Sequence, residues 1–217
     1  MVIDMLIRTI DELESIINNC KAVPCSEPLE GGNFYKVKSQ LFLFPNGTKQ
    51  FREYLDKKRS SVVVPITDEG NVVMIIQPIA LSEEGSLIEF PAGYFELNEI
   101  GHEAGIRELS EETGYVPENI IYLGSHYQDP GSIRQKVDSF LAIGCKKLKT
   151  QNLDKGEYVK CIEVPYEFVD EIIDRGYLMD ANSYIAFNKS NRYLKMIHED
   201  KNVSSIKEYK KSRGRKY

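Results

Sequence analysis

The chain has 217 residues, of which 41% are hydrophobic and 28% are charged, and its formal net charge at pH 7 is -5. This length and composition are typical of one large globular domain, or of a core domain with a small appendage. The negative charge argues against general attraction to nucleic acid or anionic membranes. No apolar run approaches the ~20 residues that span a bilayer.

The N-terminal elements are a helix over residues 4–19, with apolar residues at helical spacing, and a hairpin of strands 33–44 and 48–55 joined by Pro-Asn-Gly. A connector rich in proline and glycine separates the helix from the hairpin. The first residues lack the basic start of a signal peptide, and the four cysteines form no CxxC pair, so we expect a cytoplasmic protein with reduced thiols. We assign residues 1–57 to an extension that packs on the main domain or on a second subunit.

The main domain is predicted to span residues 58–200. It opens with two β-branched runs, 60–67 and 71–79, around Asp-Glu-Gly, which predict a hairpin at the centre of a sheet. A short strand in the run Ser-Leu-Ile-Glu-Phe-Pro-Ala-Gly, residues 86–93, follows. The strongest helix pattern covers 98–114, with Asn98 as a possible N-cap and Gly114 at its C-terminal end.

The remaining elements are strands at about 119–128, 137–145 and 157–164, then helices over 165–176 and from about 180 to 198. Residues 201–217 form a basic tail that we expect to fray. Strands interleaved with helices predict an α/β (α+β) fold in which helices lie around a mixed sheet.

The predicted helix over 98–114 gathers four acids between Glu103 and Thr113. An α-helix advances about 100° per residue, so Glu108 and Glu112 share one face and Glu111 lies on its edge. A cluster of carboxylate oxygens suits Mg²⁺, Mn²⁺ or Ca²⁺ rather than zinc. The alternative is a solvated acidic face, which charge alone favours.

The spacing from Gly93 to Tyr115 decides between these readings. It runs glycine, five residues, glutamate, seven residues, Arg-Glu-Leu, one residue, Glu-Glu, one residue, glycine. This string resembles the Nudix box of the Nudix hydrolases at every fixed position, although Tyr115 stands where an aliphatic residue is usual. The resemblance implies a Nudix fold and Mg²⁺-dependent hydrolysis of a diphosphate linked to another group.

The resemblance also implies roles for the acids. Residues at the positions of Glu108 and Glu112 bind metal directly, and Glu111 supports the site. The backbone carbonyl at Ala92 adds a ligand. Mg²⁺ is the expected cofactor, with Mn²⁺ as a substitute, because cations that neutralise the diphosphate and activate a water supply most of such catalysis. Metal binding would also let a protein of net charge -5 hold a polyanion.

The same resemblance assigns Arg107 and Glu99 to orienting the helix and its acids. From the residues alone, the pair would be an ordinary salt bridge on a helix, and the two readings are compatible.

Segments outside the box bear on the substrate. Ile-Glu-Phe-Pro-Ala-Gly at 88–93 and Asp-Pro-Gly at 129–131 resemble the ADP-ribose and nucleoside-diphosphate-sugar pyrophosphatases, whose N-terminal hairpin typically builds a homodimer. The resemblance nominates Glu89 and Pro130 for substrate binding. Arg134 and Lys136, close to Pro130, are candidates for holding a terminal phosphate or ribose. By itself, Asp-Pro-Gly would indicate only a turn.

The catalytic base has three candidate positions. Some bacterial members place a glutamate five residues after the proline, but Gln135 stands there and an amide cannot act as a base. Others place it in a stretch that residues 154–164 resemble, which nominates Glu157. An exposed acid at the start of a strand is an equally good reading of Glu157, and Glu111 is the remaining candidate.

Two features depart from the subgroup. No arginine follows the second hairpin, and the chain has no tryptophan, so a base would stack on Phe34, Tyr35 or Phe51 if these do not simply pack in the core. Hydrolysis of nucleoside triphosphates or dinucleoside polyphosphates, weakly favoured by Tyr127, therefore stays open. A non-catalytic ligand sensor is a third reading, against which the intact acidic motif argues.

Overall fold

The computed structural model describes residues 5–22 and 37–199. Most of the predicted elements are present, and four short strands, at residues 5–6, 92–94, 115–116 and 133–134, add to them. The elements in chain order are β1 (Met5–Leu6), α1 (Ile10–Asn18), β2 (Val37–Leu43), β3 (Lys49–Asp56), β4 (Ser60–Thr67), β5 (Asn71–Pro78), β6 (Ser86–Glu89), β7 (Ala92–Tyr94), α2 (Gly101–Thr113), β8 (Tyr115–Val116), β9 (Asn119–Tyr127), β10 (Ile133–Arg134), β11 (Lys136–Lys147), β12 (Lys160–Pro165), α3 (Phe168–Asp174) and α4 (Ala181–Glu199).

Nine of these strands form one mixed sheet, in the order β1-β12-β5-β4-β11-β8, with β6 on β5, β7 on β4 and β9 on β11. β4 runs parallel to β11 and antiparallel to β5. The predicted central hairpin is therefore confirmed, because β11 and β12 flank its two strands.

The central hairpin opens away from its turn. β4 and β5 pair only at Ile66 and Val72, after which β5 pairs with β6 and β4 pairs with β7. The segment from Ser86 to Tyr94 is thus held by both strands, which fixes the loop that leads into α2.

Helices cover both faces of this sheet, because alternate residues of its strands point to opposite sides. Val62 and Val64 belong to a core that contains a buried residue from each of three helices, Leu13 of α1, Ile172 of α3 and Phe187 of α4. Val63 lies in the second core, with Leu109 of α2. This arrangement confirms the predicted mixed sheet between helices.

The first predicted helix begins later than expected. Residues 5 and 6 form a strand that pairs in parallel with β12, and the helix starts at Ile10 after Thr9, whose side chain accepts a hydrogen bond from the Glu12 N–H at 3.3 Å. Its residues Leu13 and Ile16 are buried in the main core. The domain boundary at residue 57 stays a prediction, and this helix packs with the main sheet.

α2 starts three residues after the predicted N-cap. Asn98 has φ 66° and lies in the preceding loop, and Ile100 is the N-cap instead. The first helical residue is a glycine because a Cβ at Gly101 would lie 2.9 Å from the buried Asp138 carboxylate. At the other end, Gly114 adopts φ 79° and closes the helix as predicted.

The hairpin of β2 and β3 joins β10 in a separate three-stranded sheet. Strands 33–44 and 48–55 were predicted, and the structure has Val37–Leu43 and Lys49–Asp56. Phe34 and Tyr35, Cys25, most of the connector and the basic tail lie outside the described residues. No helix within the described part of the chain is long and apolar enough to cross a membrane.

Candidate active site

The loop from β7 into α2 meets the carboxylates of the helix at close range. A Cβ added to Gly93 would come closer to the Glu108 carboxylate than the 3.0 Å that real Cβ atoms keep from other heavy atoms. One residue earlier, the Ala92 N–H donates to Glu112 Oε2 at 3.0 Å. The glycine therefore lets the strand backbone and two helix carboxylates share one small volume.

Arg107 links the loop to three acids. Its Nε and Nη2 donate to both oxygens of Glu99, at 2.9 and 3.1 Å, and Nη2 also donates to the Tyr94 carbonyl. Its Nη1 lies 2.9 Å from both Glu108 Oε1 and Glu111 Oε2. The hydrogen bonds from Arg107 lower the pKa of Glu99. This fork matches the predicted orienting role, which stays a prediction.

Glu112 is buried, with 7% of its surface exposed. Burial raises its pKa well above the usual value, and the hydrogen bond from the Ala92 N–H opposes that shift only in part. The charges of Glu108, Glu157 and Glu89 raise it further. A buried carboxylate among like charges needs a proton or a cation.

The pKa of Glu108 is also raised by burial, but less than that of Glu112. Burial raises its pKa to about 7, while Arg107 pulls the value down and the charges of Glu111 and Glu157 push it up. The predicted sharing of one face by Glu108 and Glu112 is confirmed, since both carboxylates meet β7.

Glu157 was expected at the start of a strand, but it lies in a turn before β12, because Gly156 at φ 98° closes the turn there. Its Oε2 accepts a hydrogen bond from the Asp154 N–H at 2.9 Å. The side chain is exposed, yet its charge acts on both Glu108 and Glu112. This loop acid therefore lies within electrostatic range of the two helix carboxylates.

Glu89 faces the same region from β6. Burial raises its pKa to about 7, although Gln77 on β5 opposes the shift by donating to Glu89 Oε2 at 2.5 Å. The sequence nominated Glu89 but not Gln77, and only the pairing of β5 with β6 reveals this contact.

The candidates around Asp-Pro-Gly lie at the small sheet. Arg134 donates to both oxygens of Asp56, at 3.0 and 3.1 Å, and lies over the Tyr54 ring. Pro130 is in an exposed turn, and Lys136 is exposed at the start of β11. Arg134 is thus held by Asp56 rather than by the acids of α2.

Gln135, five residues after Pro130, is buried and donates to Ser60 Oγ at 3.1 Å. This contact gives the amide a packing role at the start of the central strand.

The donor set suits a hard divalent cation. Glu112 supplies a buried carboxylate, and Glu108 supplies a partly buried one that Arg107 neutralises only in part, because the guanidinium is shared with Glu99 and Glu111. Gly93 leaves both carboxylates beside the backbone of β7. Within residues 5–22 and 37–199, however, no three acidic, histidine or cysteine side chains form a ready-made metal cluster. Glu108 and Glu111 instead share the Arg107 guanidinium. The residues fit a metal, and binding it would require these two acids to reorient.

Gln151 also contacts α2, and no motif in the sequence predicted this contact. Its Nε2 donates to the Glu112 carbonyl at 2.6 Å and to the Val159 carbonyl at 3.2 Å. A lone glutamine in a polar loop has no periodicity or motif, so only the folded geometry identifies it.

Comparison with known proteins gives a consistent result. The family description "NUDIX domain" matches residues 57–177. An ADP-ribose pyrophosphatase from Bacillus subtilis (strain 168) is 32% identical over 143 residues, which cover 65% of this chain and 77% of the relative. A methanol dehydrogenase activator from Bacillus methanolicus is 31% identical over 165 residues, covering 74% and 87%. The crystal structure of an ADP compounds hydrolase matches the fold with a TM-score of 0.66 at 20% identity, over 79% of this chain and 92% of that one.

Proposed function

Because this chain belongs to the NUDIX family, we propose that it hydrolyses the pyrophosphate bond of ADP-ribose or a related nucleoside diphosphate sugar. The products would be a nucleoside monophosphate and a sugar phosphate. The observation that carries the proposal is the pair of carboxylates, of the buried Glu112 and the partly buried Glu108, against the backbone of Ala92 and Gly93. The relative named as an ADP-ribose pyrophosphatase supports the choice of substrate.

Mg²⁺ is the proposed cofactor, with Mn²⁺ as a substitute. Glu108 and Glu112 would hold it, aided by Glu111 and the Ala92 carbonyl. When bound, the cation would neutralise diphosphate oxygens and lower the pKa of a water molecule. Arg107, fixed by Glu99 and the Tyr94 carbonyl, would keep the helix acids aligned with the β7 loop.

The chain's own groups would complete the site. Glu157 would accept the proton of the attacking water, because it is an exposed loop acid whose charge acts on both Glu108 and Glu112. Glu111 is the alternative base. Glu89, oriented by Gln77, would hold a hydroxyl of the substrate. Pro130, Arg134 and Lys136 remain proposals for the far end of the ligand.

A homodimer built through the small sheet is part of the proposal. In the register of β2 and β3, Val37 lies opposite Leu55 and Leu41 lies opposite Phe51, so these four side chains share one face. Three of them are exposed: Val37 by 61%, Leu41 by 48% and Phe51 by 66%. A second copy of this chain would cover such an apolar face.

We place the protein in the cytoplasm. Cys20 and Cys145 are buried thiols, and burial raises the pKa of Cys145 to about 12, so this thiol is unreactive. Buried reduced thiols suit a reducing compartment.

Product analysis tests the activity. The protein is incubated with ADP-ribose, other nucleoside diphosphate sugars, nucleoside triphosphates and dinucleoside polyphosphates, each with Mg²⁺ or Mn²⁺. We expect AMP and a sugar phosphate from ADP-ribose, and loss of turnover by orders of magnitude in Glu112→Gln, which remains folded. Faster release of pyrophosphate from a triphosphate would favour the alternative substrate class. Near-normal turnover in Glu112→Gln would refute the metal assignment.

A further inference from the structure

The C-terminal end of α2 is closed by a loop of the main domain. The last carbonyls of an α-helix have no partner within the helix. Here the Asn152 N–H donates to the Glu111 carbonyl at 2.8 Å, and the N–H groups of Leu148 and Lys149 donate to the Gly114 carbonyl at 3.1 to 3.2 Å. The loop over residues 148–152 is therefore a cap for the helix that carries the acids.

Gln151 does more than cap. Its single side-chain amide donates to the Glu112 carbonyl at 2.6 Å and to the Val159 carbonyl at 3.2 Å. Glu112 is the most buried acid of the site, and Val159 lies two residues after Glu157. One NH₂ group therefore joins the helix that holds the carboxylates to the segment that carries the loop acid.

The turn that carries Glu157 is closed mainly on itself. The Glu157 N–H donates to the Asp154 carbonyl at 3.0 Å, and Glu157 Oε2 accepts from the Asp154 N–H at 2.9 Å. These contacts fix the shape of the turn but not its distance from α2. The flanking attachments constrain that distance, and among the hydrogen bonds of residues 5–22 and 37–199 those of the Gln151 amide join the two sides directly.

We propose that Gln151 is a positioning residue for hydrolysis, which holds Glu157 at its working distance from Glu108 and Glu112. The catalytic role of Gln151 rests on the proposed function, whereas the clamp between α2 and the Glu157 segment rests on the two hydrogen bonds of the Gln151 amide. A displacement of about 1 Å in a reacting group can lower turnover by about 100-fold. A clamp of this kind would therefore influence kcat without touching substrate.

Gln151→Met is the informative variant, because it keeps the length of the side chain and removes the amide donor. Thr150→Ala is the matched control on the adjacent residue of the same loop. Both variants retain the backbone hydrogen bonds from residues 148, 149 and 152 that cap α2. Loss of folding is therefore not expected, and thermal unfolding would verify this.

Hydrogen exchange measures the clamp without relying on activity. In Gln151→Met, the hydrogen-bonded backbone amides of this segment, those of Asn152, Asp154 and Glu157, should exchange faster than in the wild type and in Thr150→Ala. Unchanged exchange in this segment would overturn the clamp, whether or not the protein hydrolyses any substrate.

A double-mutant cycle measures the positioning role. We expect Gln151→Met to lower kcat by roughly 10- to 100-fold, with KM and Mg²⁺ affinity nearly unchanged. In a Glu157→Gln background, Gln151→Met should lower kcat little further, because the carboxylate that Gln151 positions is already absent. Full additivity, or an unchanged kcat in an active enzyme, would overturn the role. If the wild type hydrolyses none of the tested substrates, the proposed function fails, and the exchange result still decides the clamp.

Discussion

Gly93 lies so close to Glu108 that no other residue can occupy its position without displacing the carboxylate. The contact is between strand β7 and helix α2, so it couples the geometry of the sheet to the side chain that we assign to the metal. The requirement for glycine at position 93 is therefore steric, and a substitution there tests it directly.

Gly93→Ala should reduce turnover and Mg²⁺ affinity strongly, because the added methyl group meets the Glu108 carboxylate rather than open space. Calorimetric titration with Mg²⁺ and steady-state kinetics would measure both effects. Gly176→Ala is the control: its φ of 75° makes the alanine strained by about 1 to 2 kcal/mol, but nothing lies within 4 Å of the new Cβ. The control should lose stability and keep its activity. Normal Mg²⁺ affinity in Gly93→Ala would contradict the contact.

Arg107→Ala should destabilise the fold as well as the site. Glu99 has a side chain only 11% exposed and would lose a bidentate partner; for charged hydrogen bonds of a partly buried pair this costs about 1.5 to 3 kcal/mol. Arg175→Ala removes an exposed i,i+4 partner of Glu171 and should cost less than about 1 kcal/mol. Urea unfolding of the two variants would compare these costs. Equal losses would show that Arg107 is an ordinary surface ion pair.

The sequence predicted much of this site because its spacing encodes a helix face. Glu108 and Glu112 are four residues apart, and any regular helix places them together. The start of α2 could not be read in the same way. Asn98 is a good N-cap by type, but its backbone has φ 66° and lies in the preceding loop, so Ile100, whose backbone is extended, is the N-cap instead.

Contacts between residues distant in the chain could not be predicted from the sequence either. Gln77 meets Glu89 only because β5 and β6 pair, and Gln151 reaches Glu112 only because a later loop returns to α2. The N-terminal helix was predicted too long for a related reason. Residues 5 and 6 have helical spacing, yet β12 offers them an edge on which to pair.

Glu89 should make stability depend on pH. Its pKa is about 7 in the fold against an ordinary 4.5, so the folded state binds the proton more tightly than the unfolded state. That stabilisation is complete below about pH 4.5 and is lost as the pH rises through about 7. Glu108 acts in the same sense, whereas His126, whose pKa is lowered by burial, acts in the opposite one.

A single substitution isolates this contribution. Relative to the wild type in EDTA, Glu89→Gln should gain about 1 to 3 kcal/mol of stability as the pH is raised from about 5 to about 8. Glu167→Gln, an exposed acid before α3, should show a constant difference across the same range. Denaturant unfolding at each pH provides the measurement. A flat difference for Glu89→Gln would mean that its carboxyl titrates normally.

Glu157→Gln should lower kcat by roughly 10²- to 10⁴-fold if this acid accepts the proton of water. Mg²⁺ affinity should change little, because the side chain lies on the loop and not among the proposed ligands. Glu118→Gln, which alters an exposed ion pair with Lys146, should behave as the wild type. Kinetics and calorimetric titration on the same preparations would separate the two effects. An unaffected rate would leave Glu111 as the base.

The apolar face of the small sheet should bring two copies together. Phe51→Glu replaces an apolar side chain of this face, opposite Leu41, with a charge and should convert a dimer into a monomer, because an unpaired charge cannot be buried at an interface without a large penalty. Gln40→Glu adds the same charge on the other face of the hairpin, where the oxygen can still accept the hydrogen bond from Tyr54. Sedimentation equilibrium should therefore report a monomer for the first variant and a dimer for the second and for the wild type. A monomeric wild type would reject the interface. Dissociation by both variants would show that charge in general, rather than this face, controls assembly.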